Sequence, residues 1–60
     1  MNLKKIIQDA VDELDSIQCY VKVDPLPHGV VISATSEVDK LLAVKEFNRR
    51  GIVIAMSYVE

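Results

Sequence analysis

The 60-residue chain has no tryptophan, one phenylalanine, one histidine, one cysteine, two glycines and two prolines. Each scarcity narrows the field. A single cysteine excludes an internal disulfide, and one histidine beside one cysteine is too few donors for a structural zinc site. Two glycines, Gly29 and Gly51, cannot supply a P-loop or a dinucleotide fingerprint, and no HExxH or EF-hand spacing occurs. With Tyr20, Tyr58 and Phe47 as the only aromatics there is no broad stacking platform for single-stranded nucleic acid. The net charge of −2 leaves no basic stripe of the kind a non-specific nucleic-acid binder carries. No apolar run approaches the roughly 18 residues of a membrane span. Lys4 and Lys5 are followed by Gln8, Asp9 and Asp12, which interrupt any signal-peptide core. The lone thiol fits a reducing compartment, so a cytoplasmic protein is expected. No cofactor and no metal are expected.

Hydrophobic residues, by contrast, make up 50% of the chain, which is much for a domain with so high a surface-to-volume ratio. A chain this short buries only about 60% of its unfolded surface. Without disulfide or metal, good packing or association must supply the rest. The composition predicts a single domain over 1–60 that self-associates, most simply as a homodimer.

The chain is organised around residues 36–59. Ser36 is a suitable N-cap, Glu37 and Asp39 fall in the first turn, Arg49 and Arg50 in the last, and Gly51 follows as a stop. The spacing predicts a helix over 36–50. Its apolar residues sweep roughly 220° of the wheel, about twice what one sheet covers. Ile52 to Val59 follows as a strand, with Ile52, Ile54, Met56 and Tyr58 on one face and Val53, Ala55, Ser57 and Val59 on the other. Val38, Leu41, Val44 and Phe47 of the helix, with Ile54, Met56 and Tyr58 of the strand, are the expected self-association residues.

Upstream, Leu3, Ile6, Ile7, Ala10, Val11 and Leu14 predict a one-sided helix over 3–15. Its charges run against the macrodipole, with Lys4 and Lys5 first and Asp12, Glu13 and Asp15 last. Asp9 and Glu13 are a like-charge i, i+4 pair as well. Charges set against local stability suggest another use, so Asp9, Asp12 and Glu13 are a candidate surface for a basic protein partner. Ile17 to Asp24 alternates as a half-buried strand, with Cys19 inward and Tyr20 and Lys22 on a wet face. Two prolines and a glycine between Asp24 and Gly29 read as a stiff hairpin connection. Leu26 and His28 are its candidate recognition tip. Val30 to Ala34 is a second strand, expected to run parallel to the third.

The order is α-β-β-α-β, an α+β two-layer sandwich with two helices on one face of a three-stranded sheet. This order resembles a ferredoxin-like βαββαβ unit lacking its first strand. It is also similar to the type II KH order α-β-β-α-α-β, without the KH domain's GXXG loop. As topology alone these resemblances imply a fold and no function.

No nucleophile is set beside a base, and the acidic helix face offers no concave wall to perturb a carboxyl. An enzyme is not expected. The expected function is a small stand-alone interaction module: an adaptor, inhibitor or regulator of the size that phages and mobile elements encode. The alternatives are a nucleic-acid module using Tyr20 and Lys22 on the wet strand face, and a regulatory domain with a small ligand at a dimer interface.

Overall fold

The computed structural model describes residues 2–60. It has α1 at Leu3–Ser16, β1 at Val21–Leu26, β2 at Gly29–Ala34, α2 at Glu37–Arg49 and β3 at Ile54–Val59. The element order is the expected α-β-β-α-β, and the helices pack on one side of a mixed sheet of order β1-β2-β3. β2 runs antiparallel to β1 and parallel to β3. The position of β1, open from sequence alone, is therefore an edge.

Both helices begin and end by the same devices. Asn2 Oδ1 accepts from the backbone of Lys4 and Lys5, and Ser36 Oγ accepts from Asp39. Each cap satisfies N–H groups that lack intrahelical partners. At the far end of α2, Gly51 turns left-handed at φ 75°. The Ile52 N–H then bonds Phe47 O and the Gly51 N–H bonds Asn48 O. This is the Schellman pattern. α1 closes identically: Cys19 N–H bonds Leu14 O and Gln18 N–H bonds Asp15 O. Here the left-handed residue is Gln18, at φ 61°.

The expected strand over Ile17–Asp24 is corrected accordingly. Ile17 to Tyr20 form the helix stop and its exit. Cys19 is buried because the Schellman turn folds it back beside Leu14, whereas Ile17 is left outside. A side chain with a Cβ resists the left-handed region by about 1–2 kcal/mol. Gln18→Gly should therefore raise unfolding stability by about 0.5–1 kcal/mol, read from urea titrations. A loss of stability would show that the Gln18 side chain makes a contact worth more than the strain.

The hairpin is tighter than expected. β1 runs through Pro25 to Leu26, which pairs with Gly29, leaving only Pro27 and His28 in the loop. A proline is tolerated there for a local reason. Its partner Val30 turns its N–H away, to Val53 O of the segment entering β3, at 3.0 Å. No ladder bond is asked of Pro25, and an edge strand has no neighbour on its other side.

β3 carries the largest departure. Its register against β2 jumps from Val30↔Ile54 to Val31↔Met56, so Ala55 is an extra residue in a bulge. Gly29 sits against this kink, where a Cβ would come within 3.1 Å of Val53 O and 3.3 Å of Ala55 N. The bulge breaks the alternation expected along Ile52–Val59. Ile52 and Ile54 face the helices, but Met56 and Tyr58 pair with Val31 and Ser33 on the opposite, open face. Ser57 and Val59 pair with the buried Ile32 and Ala34 instead.

The core lies between the layers. Ala10, Leu14, Cys19, Val30, Ile32, Ala43, Phe47 and Ile52 are each at most 4% exposed, with Ile6, Ile7, Val11, Val21, Val23 and Ile54 packed around them.

Candidate functional site

The acidic end of α1 is occupied within the molecule. Glu13 bonds Arg50 and lies 3.5 Å from Arg49, both at the end of α2. Glu46 accepts from both arginines, at 2.7 Å from Arg49 Nη2 and 2.5 Å from Arg50 Nε. The cluster bolts the two helices together. Hydrogen bonding from Arg49 holds the Glu46 carboxyl below the usual range despite its burial, with Arg50 adding to the effect. The same bonds push Arg49 and Arg50 up. Of the charges misplaced for the α1 dipole, Glu13 is thus matched to the neighbouring helix. Still half exposed, Glu13 is a tertiary ion-pair member rather than a free carboxylate. Asp9 lies 3.7 Å from Lys5, and Asp12 accepts from Gln8 at 2.8 Å, so these two remain on the exposed face with partners in their own helix.

Cys19 is 1% exposed and its thiol donates to Asp39 O at 3.5 Å. Burial, then the Asp39 charge, pushes its pKa up. Both effects suppress the thiolate that nucleophilic chemistry requires. His28 stands exposed in the loop and Leu26, partly exposed, belongs to the open sheet face rather than to a protruding tip. Lys22 lies 3.6 Å from Glu60, which also accepts from Ser33 Oγ. With exposed Tyr20 these line a small notch of about 160 Å³. Its one cation is already opposed by a carboxylate. The described residues contain no cluster of three or more metal-ligating side chains and no helix long and apolar enough to cross a membrane.

The expected self-association residues divide. Phe47, at 0% exposure, and Ile54, packed against the core, hold the monomer together and are corrected to core residues. Val44 is half-buried. Val38 and Leu41 are 65% and 57% exposed on the outer side of α2, joined by Leu42. Met56 and Tyr58 are 54% and 41% exposed on the open face of β3. Two features escaped the sequence. One is the exposure of Leu42, which belongs to the 220° sweep but not to the expected self-association residues, because the sweep does not show which arc the core takes. The other is a groove of about 500 Å³ lined by Leu3, Ile7 and Pro25, with Lys4 and Gln8 beside them. It was hidden because Pro25 reads as loop.

No family model matches the chain, and no curated protein and no solved structure matches it either.

Proposed function

We propose that the chain is a small cytoplasmic protein-interaction module, an adaptor, inhibitor or regulator, that acts by surface binding as a homodimer. The observation that carries this reading is the exposure of neighbouring large apolar side chains on α2 and on β3: Val38, Leu41 and Leu42 on the outer side of the helix layer, and Met56 and Tyr58 on the opposite, open face of the sheet, with Val59 at the end of the strand. Such residues grouped within one element, rather than scattered singly, mark interaction sites. Fully desolvating an aliphatic side chain contributes about 1.5–3 kcal/mol, which is a large gain for a domain of this size. With the self-interface there, partner binding falls to the surfaces left free, namely the outer face of α1 with Asp9 and Asp12, and the hairpin end with Leu26 and His28. The pairing of Lys22 with Glu60 gives the nucleic-acid alternative no support.

The test is molar mass in solution by light scattering over a concentration series. The expected result is twice the 6.7 kDa of one chain at micromolar concentrations and above. A monomer throughout that range overturns the homodimer.

A further inference from the structure

We infer that a second copy of the chain docks on the free edge of β3, joining the two sheets into one of six strands, with the two α2 helices meeting above the seam. This rests on the homodimer proposed above and specifies where it forms.

The two edges of the sheet differ in kind. β1 carries Lys22, Asp24 and Pro25, three residue types that discourage a further strand. β3, IAMSYV, has no charge and no proline. Its bulge ends at Ala55, and Met56 to Val59 pair with β2 without interruption. The Glu60 N–H points inward to Ala34 O at 2.8 Å. Successive residues of a strand alternate, so the N–H and C=O of Val59 and Ser57 point outward, to the open edge. Two β3 strands related by a dyad at Tyr58 would set Ser57 of each opposite Val59 of the other. That register engages all four outward pairs of groups and brings no like charges together. It also places the two Tyr58 rings side by side on the open face, where aromatic cross-strand pairs are favourable.

α2 supplies the second half of the interface. It packs mainly on β2 and β3. Arg50 at its end bonds Glu13 of α1, and the Asp39 carbonyl accepts from Cys19 in the chain leaving α1, so the side carrying Asp39 and Arg50 faces α1. α1 in turn lies toward β1, sharing the groove with Pro25. At about 100° per residue, Leu41 lies about 200° from Asp39 and Val44 about 140°. Leu41 therefore points away from α1 and out past β3. Leu41 and Val44 thus lie above the β3 edge in the helix layer, and Met56 and Tyr58 lie below it on the open face of the sheet. A stable dimer needs about 800 Å² from each partner, roughly a fifth of the 4101 Å² exposed here. The free edge of β3, with Leu41 and Val44 above it and Met56 and Tyr58 below, is where that area would be buried.

Val59→Pro tests the edge. It removes an outward N–H and leaves the β2 ladder intact. By symmetry each substitution acts twice, so the dimer should weaken by about a hundredfold or more while circular dichroism stays that of wild type. Leu41→Glu should do the same by placing a charge at the seam. Amide exchange on the unmodified protein provides a reading free of any folding defect. The Ser57 and Val59 amides should gain about a hundredfold protection as concentration rises through dimerisation. A dimer that survives Val59→Pro, with Ser57 and Val59 exchanging fast at every concentration, overturns the edge while leaving the homodimer standing. A chain monomeric without any substitution overturns both.

Discussion

Phe47→Ala should leave the chain largely unfolded at physiological temperature. Phe47 is the largest fully buried side chain, at 0% exposure, and it packs with Ile32, Val30 and Ala43 between the layers. Truncating a buried phenylalanine to alanine costs about 3–5 kcal/mol, part in lost transfer energy and part in the cavity left behind. A domain of 60 residues has about 3–9 kcal/mol of stability in all. The loss is thus comparable to the whole. Leu41→Ala, on the same helix but 57% exposed, is the matched control and should cost the monomer no more than about 0.5 kcal/mol. Urea unfolding followed by circular dichroism reads both, at a concentration low enough to keep the protein monomeric. A Phe47→Ala midpoint near that of wild type would mean that the two layers close over the gap, and that the core is looser than its burial implies.

The contrast between Phe47 and Leu41 shows what the sequence could and could not tell. Both lie within the broad apolar sweep of α2, and the wheel alone gives no reason to bury one and expose the other. The inward arc is the one next to the Asp39 and Arg50 side that meets α1, a contact between distant residues that the wheel does not contain. The remaining departures also trace to interactions between distant residues. The end of α2 was legible because Gly51 occupies the left-handed position, whereas α1 uses Gln18, which carries no such signal. Pro25 reads as a strand breaker until its partner is known to look the other way. The bulge at Ala55 is set by where β3 meets β2, and its effect is to move Met56 and Tyr58 to the opposite side of the sheet from Ile54. By contrast the order of elements, the helix starts and the parallel direction of β2 and β3 follow from local caps, periodicity and the crossover rule, and these were readable, whereas which strand is central was not.

The ion cluster makes the second large prediction, because it joins the end of α2 to α1. Glu46→Gln should lower stability at neutral pH by about 1–2 kcal/mol, the value of charge-assisted bonds discounted for the exposure of Arg49. The sign of its pH dependence follows from the lowered Glu46 carboxyl. A carboxyl with a folded pKa below its unfolded value stabilises the fold above the unfolded value. That contribution is lost as pH falls through the folded one. Wild type should therefore weaken as pH drops below the ordinary glutamate range, and Glu46→Gln should show a shallower fall, the two curves converging in acid. Urea midpoints measured from neutral pH down to the acid limit decide it. Parallel curves would show that Arg49 and Arg50 are free in water. α2 would then be held by its buried contacts, Ala43 and Phe47 foremost, and by the Cys19 bond to the Asp39 carbonyl.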